Sequence, residues 1–179
     1  MEIDIPEDIL LDCGDNPIAS IVRSTYPDFG TIGDDNAYLR GRAILAPTLN
    51  VVESINEYMT SKNNSQGRTY LSSDTPCRSD SNVDLLNDLH TPEFLNSIKC
   101  SGLPNHELNL KIGTPVMLLR NIDHSLGLCN GTRLVITKLG DHVVEAKVIS
   151  GDNDGVKVLI PRLSVTPSDK RMPFRFQRR

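Results

Sequence analysis

From His106 onward apolar residues recur at every second position, and this change of period constrains the fold more than any other feature. Leu108, Leu110 and Ile112 alternate with polar neighbours, as a half-buried strand requires. Apolar runs at 116–119, 134–138, 143–149 and 156–160 follow, with reversals at Gly140-Asp141 and 150–155 and a stop at Pro161. About five short strands at hairpin spacing predict a small antiparallel barrel or curled sheet. Asp152 and Asp154 beside Gly155 lack the spacing and closing Glu of a calcium loop and read as an acidic turn.

Inside this region, 113–133 reads GTPVMLLRNIDHSLGLCNGTR. Arg120 and Asn121 mark a change from apolar to polar chemistry, and Cys129-Asn130-Gly131-Thr132-Arg133 is a tight turn launching the next strand. Asn-Gly favours the positive φ that a two-residue reversal needs. Two strands joined by a polar loop with an Arg at each mouth can hold a phosphate chain. They can equally be ordinary sheet.

The chain before His106 follows helical periods. Asn16-Pro17 is a capped helix entry, with Ile18, Ile21 and Val22 on one face and a stop near Tyr26-Pro27. Ile3 and Ile5 before Pro6 suit an edge strand, and the span around Gly30, Gly33, Asp34 and Asp35 reads as a connector. The run at 42–46 predicts a short buried strand, followed by a capping box with Asn50 as N-cap and Glu53 reaching back. Val51, Val52, Ile55, Tyr58 and Met59 then predict a helix to about Thr60. Strand, turn and helix make an α/β unit whose turn faces a ligand in many such folds; the alternative is that Thr48 and Asn50 simply cap. Residues 68–72 predict a further strand, 73–82 a surface loop, and Thr91-Pro92-Glu93 another capped helix.

The net charge of −4 argues against a free-standing nonspecific nucleic-acid binder. The charge is uneven: Glu2, Asp4, Glu7, Asp8, Asp12 and Asp15 open the chain, and Lys170, Arg171, Arg175, Arg178 and Arg179 end it. A charge run is ordinarily a solvated face, but the basic end is the segment suited to an anionic polymer. The last stretch, 166–179, predicts no closing structural element. With Trp absent and aromatics at 4%, a rich stacking platform is not expected. Cys13, Cys77, Cys100 and Cys129 form no Cys-x-x-Cys pair, so neither zinc nor a disulfide scaffold is expected. No run is long enough to span a bilayer and no leader is read, which predicts an intracellular protein without membrane partners. There is no Gly-x-x-x-x-Gly-Lys-Ser/Thr loop, no Gly-x-Ser-x-Gly elbow and no His-Glu-x-x-His; Asp123-His124-Ser125 is adjacency rather than a triad. The residues alone describe a noncatalytic α/β piece followed by a small β-module.

Several phrases, taken in order, resemble one family. They are Arg42-Ala43-Ile44-Leu45-Ala46-Pro47-Thr48 with Asn56-Glu57-Tyr58, Glu93-Phe94-Leu95-Asn96-Ser97, Lys111-Ile112-Gly113-Thr114-Pro115-Val116-Met117-Leu118-Leu119-Arg120-Asn121, Gly127-Leu128-Cys129-Asn130-Gly131-Thr132-Arg133 and Ile160-Pro161-Arg162. Together with Ile5-Pro6-Glu7-Asp8 and Tyr26-Pro27-Asp28 they resemble the C-terminal half of Pif-family DNA helicases, especially the plant and Helitron-transposon type. The resemblance implies an ATP-dependent superfamily 1 helicase moving 5′ to 3′ on single-stranded DNA, acting in the nucleus in repair, recombination, telomere maintenance or transposition. ATP and Mg²⁺ would lie between two RecA-like motor domains.

On that resemblance, 1–41 is the end of the first motor domain and linker, and 42–105 a partial second RecA-like domain. Residues 106–166 are an inserted Src-homology-type β-barrel, and 167–179 a basic tail returning toward the rest of the motor. Thr48 and Asn50 match the strand-to-helix turn near the motor cleft; Arg120, Asn121, Asn130, Gly131 and Thr132 match the barrel-entry segment, with DNA-proximal or structural roles. The Gly131 amide and Thr132 hydroxyl suit phosphate oxygens. The nucleotide-binding domain, the Thr-x-x-Lys-x-Gln-Gly segment and the arginine finger are not in this sequence, and Ala46-Pro47 stands where relatives carry an arginine. The expectation is a truncated helicase, inactive without its N-terminal motor domain; a stand-alone binding module for nucleic acid or protein, or an inert transposon relic, are the alternatives.

Overall fold

The computed structural model describes residues 6–29, 36–77, 91–100, 102–167, 172 and 174–179. The predicted strand at Ile3 and Ile5, the connector at Gly30 and 33–35, the end of the predicted 73–82 loop, and Lys170 and Arg171 lie outside them. The chain divides into two compact units, Met1–Asn64 and Ser65–Arg179.

The first unit is helical. After a 3-10 turn at Glu7–Ile9, α1 spans Pro17–Thr25, with Asn16 Oδ1 accepting from the Ala19 amide at 2.9 Å and Pro17 at the first position. Val22 is buried on its inner face, and the helix ends at Tyr26 before Pro27, as predicted. A short helix, α2, covers Asn36–Arg40, and α3 covers Leu49–Lys62 and packs against α1.

Two expectations fail here. The N-cap of α3 is Thr48, whose Oγ1 accepts from the Val51 amide at 3.4 Å; Asn50 is the second residue of the helix, its carbonyl accepting from Ser54 Oγ at 3.0 Å. Both residues are good caps, and extended φ and ψ at Thr48 decide the choice. The run at 42–46 is not a buried strand: it is irregular, and Leu45 is 94% exposed. A strand needs a ladder partner for its amides and carbonyls, and no described strand lies beside this run.

The second unit is built from antiparallel sheet. Its strands are β1 (Gly67–Leu71), β2 (Asp74–Pro76), β3 (Glu107–Lys111), β4 (Pro115–Met117), β5 (Arg133–Leu139), β6 (Val143–Val148), β7 (Lys157–Pro161) and β8 (Phe176–Arg178). A six-residue helix, α4 (Pro92–Ser97), precedes β3 and is capped by Thr91. β4-β5-β6-β7 form one sheet, β1 pairs with β3, and β2 pairs with β8. The five strands predicted after His106 are thus β3 to β7. The fold class is α/β with small antiparallel sheets.

Alternation sets the core. Val116, Leu134, Ile136, Ala146, Val148 and Val158 turn to one face and bury with Leu110, Leu118 and Leu128. The β1-β3 pair is tied to the four-stranded sheet by Tyr70 Oη, which donates to Gly140 O at 2.8 Å, and by the Gly113 amide, which donates to Ile136 O at 2.8 Å. Gly140 has to be glycine, because a Cβ there would meet Val143 O at 2.9 Å. A bulge at Thr137 interrupts the β5-β6 register, and its hydroxyl donates to Glu145 Oε1 at 2.7 Å.

The basic end does form a structural element, contrary to expectation. Phe176 is fully buried with Leu95 and Leu103, and Ile98, Cys100, Val165, Met172 and Phe174 pack around them. Arg178 lies in the same place, 3% exposed, against Asp74 of the supposed surface loop.

Candidate nucleic-acid interface

The predicted site residues fall in two places. Thr48 and Asn50 stand at the N-terminus of α3 in the first unit. Arg120, Asn121, Asn130, Gly131 and Thr132 are brought together in the second, in the long loop from β4 to β5.

The loop closes on itself through its backbone. The Leu118 amide donates to Thr132 O at 2.9 Å and the Gly131 amide returns to Leu118 O at 2.8 Å. Further out, the Ile122 and Leu128 amides cross-bond at 2.8 Å each to Leu128 O and Asp123 O. The tip is held by Asp123, whose Oδ1 accepts from the Ser125 amide and hydroxyl and from the Leu126 amide. These donors, the Ser125 hydroxyl foremost, hold the Asp123 carboxyl below its ordinary range.

The Asn-Gly turn is not a two-residue hairpin reversal. Thr132 N donates to Cys129 O at 3.0 Å and only Gly131 has positive φ, at +90°, the pattern of a type II turn with glycine at its third position. Asn130 therefore keeps negative φ, and its amide donates to Asn121 Oδ1 at 2.7 Å.

Several atoms assigned to phosphate are occupied within the loop. The Gly131 amide is bonded to Leu118 O, and Thr132 Oγ1 donates to Gly127 O at 2.8 Å while accepting from the Cys129 amide at 3.1 Å. Asn121 Oδ1 is committed to Asn130. Arg120 is exposed, and its Nη1 donates to Ser164 O, strapping the loop to the segment after β7. Arg120, Asn121, Asn130 and Gly131 are all exposed, but the Asn121 side-chain oxygen, the Gly131 amide and the Thr132 hydroxyl are used in shaping the loop.

Asp123, His124 and Ser125 are neighbours in the loop tip. Ser125 Oγ goes straight to Asp123 Oδ1 at 2.6 Å, and His124 Nδ1 lies 3.4 Å from Cys129 Sγ, so the three neighbours form no relay. Among the described residues no group of three or more His, Cys, Asp or Glu is placed to hold a metal ion. No helix among them is long and apolar enough to cross a membrane.

The outward face of the four-stranded sheet adjoins the loop, and sequence reasoning missed it. Arg133 leaves the Asn-Gly turn and stands opposite Met117, while Lys147 stands opposite both Val135 and Lys157. Lys138 and Lys157 each approach Glu145 to 3.8 Å. The Thr137 hydroxyl, followed by these two lysines, lowers the Glu145 carboxyl below its ordinary range. Strand alternation alone places these side chains together, so knowing the register would have revealed them.

Residues 93–139, from α4 through β5, match the family described as DNA helicase Pif1, 2B domain. The comparison with curated proteins gave no match. Among solved structures, unliganded Pif1 from Bacteroides sp. is 22% identical, with 75% of this chain and 36% of that chain covered and a TM-score of 0.46. Pif1 helicase from Candida albicans is 18% identical, covering 87% of this chain and 40% of that one, TM-score 0.48. Bacteroides Pif1 bound to ssDNA is 18% identical, covering 92% and 37%, TM-score 0.45. The chain spans well under half the length of these relatives. The β4–β5 loop lies wholly within the segment that matches the Pif1 2B-domain family.

Proposed function

We propose that this chain is the DNA-engaging part of an ATP-dependent 5′ to 3′ DNA helicase acting in the nucleus. The single observation that carries this reading is the match of 93–139 to the 2B domain of Pif1 helicases. On it, the second unit is an inserted Src-homology-type barrel bordering single-stranded DNA. The α1–α3 unit is then motor-domain structure, with Thr48 and Asn50 near the motor cleft. Arg120 and Asn130 are the loop groups that meet the phosphate chain, and Asn121, Gly131 and Thr132 hold them in place. The residues present do not fit ATP and Mg²⁺, because the sequence has no phosphate-cradling Gly-rich loop. Nucleotide chemistry on this reading belongs to a motor domain outside these 179 residues. Repair, recombination, telomere maintenance and transposition are processes in which such a helicase would serve.

The test is fluorescence anisotropy with labelled oligothymidylate at low salt. Binding that weakens steeply with added salt is expected, since phosphate contacts release counterions. No binding at low salt removes the nucleic-acid role of this chain. A second reading, a self-sufficient binding module, is favoured by one observation: both hydrophobic clusters lie within 65–179.

A further inference from the structure

We propose that the outward face of the β5-β6-β7 sheet is itself a polyanion track, with Arg133, Lys147 and Lys157 contacting successive phosphates of a single nucleic-acid strand. The proposal rests on the nucleic-acid reading above, and extends it to residues outside the loop.

Three observations support it. Lys147 and Lys157 are direct cross-strand partners. Like charges in that relation repel and destabilise a sheet, so the pair makes sense where an anion sits over it. Lys147 has no ion-pair partner among the described residues, and Lys157 has only Glu145, at 3.8 Å. That contact is long, and the Lys157 side chain is 64% exposed, so exchanging the carboxylate for a phosphate costs little.

The second observation is placement. Arg133 lies on the same face, two residues along β5 from Val135, which stands opposite Lys147. Adjacent strands are about 4.8 Å apart, so the three cations cross β5 to β7 over roughly 10 Å. The third is continuity: Arg133 directly follows Thr132, so the face begins where the candidate loop ends.

Charge complementarity also selects the occupant. The face offers point charges in a row, with Met117 55% exposed at one end and Leu159 65% exposed beside Glu145. It has no aromatic anchor of the kind that concentrates protein–protein binding energy. A phosphodiester chain needs only the charges.

Anisotropy of the whole 179-residue chain with labelled oligothymidylate over a salt series tests this, comparing the wild type with K147Q/K157Q and with the loop variant R120Q. Removing two phosphate contacts should lower the slope of log affinity against log salt by about 1.4, since each contributes about 0.7 on a single strand. Affinity at low salt should fall on the order of tenfold. Wild-type affinity and slope in K147Q/K157Q, with R120Q impaired, would overturn the sheet track while leaving the loop as the interface. A wild type that binds no oligothymidylate overturns both. A polyaspartate peptide that binds the wild type as tightly, with the same dependence on the two lysines, would show that the face takes acidic polypeptide instead. If the double variant fails to fold, K147Q alone carries the test, with an expected slope change of about 0.7.

Discussion

Arg178 uses every donor it has. Nε donates to Asp74 Oδ1 and Oδ2 at 3.1 and 2.9 Å, and Nη2 to Asp74 Oδ2 at 2.6 Å and Leu95 O at 2.7 Å. Nη1 donates to Ile98 O at 3.1 Å and Pro104 O at 2.9 Å. One planar fork thereby joins β2, β8, α4 and the segment leading to β3, a task that a lysine's three-donor point charge cannot perform. The side chains are 4% and 0% exposed, so truncating either partner strands the other's charge. D74A should lose about 3–5 kcal/mol in urea unfolding. Replacing both partners with apolar residues often recovers stability at buried ion pairs. Here D74L/R178M should stay destabilised, because the carbonyls of Ile98 and Pro104 lose the Arg178 donor at roughly 1 kcal/mol or more each, while Leu95 O keeps only the Ile98 amide. A double variant as stable as the wild type would mean that the ion pair is dispensable and that water serves those carbonyls.

At the level of elements, the tip of the β4–β5 loop is held by Asp123, and this makes it sensitive to acid. The carboxyl is held below its ordinary range, first by the Ser125 hydroxyl and then by the Leu126 and Ser125 amides. A depressed folded-state value means the contribution is present above the ordinary carboxylate range, about 4, and fades as pH falls through the folded value. Glu145 has the same sign, with Thr137 as its main cause. S125A should therefore move the Asp123 carboxyl titration, followed by carbon NMR, back toward ordinary aspartate; an unmoved titration would show that the hydroxyl does not set it. The elements differ in how much of this could be read in advance. β3 to β7 were legible because each buries one face, so alternation survives in the sequence. The starts of α1 and α4 were legible because Asn16-Pro17 and Thr91-Pro92 are local signals. The β2-β8 pair was not, since Asp74 and Arg178 meet from opposite ends of the unit and nothing local announces it. The alternation of Phe174 and Phe176 with polar neighbours was the one available hint. At 42–46 the error ran the other way: an apolar run was read as strand although no described strand pairs with it. The loop's position was legible from Arg120 to Arg133, but not the inward commitment of Gly131 and Thr132, which depends on hydrogen bonds that only the closed loop makes.

For the whole molecule, stability should reside mainly in the second unit. Among the described residues, Val22 is the sole buried hydrophobic of the first unit, whereas the second buries two clusters that include Leu134, Ile136, Val148, Leu95 and Phe176. Burying such side chains yields about 1.5–3 kcal/mol each before entropy is counted, so the difference is large compared with the stability of a typical small domain. The fragment 65–179 should therefore unfold in one cooperative urea transition, with a slope of about 1–3 kcal/mol/M, and its midpoint should match the main transition of the whole chain. The first unit should contribute little amplitude of its own: α3 leaves Leu49, Val51 and Val52 exposed along its first turns, and Leu45 stands in solvent before it. A gradual, uncooperative loss of structure in 65–179 would favour the inert-relic alternative, because the buried Arg178–Asp74 contact and the paired sheets cannot persist in a chain without a packed core. A cooperative fragment that also binds oligothymidylate as tightly as the whole chain would place the nucleic-acid surface entirely within this unit. The helical unit would then take no part in nucleic-acid binding.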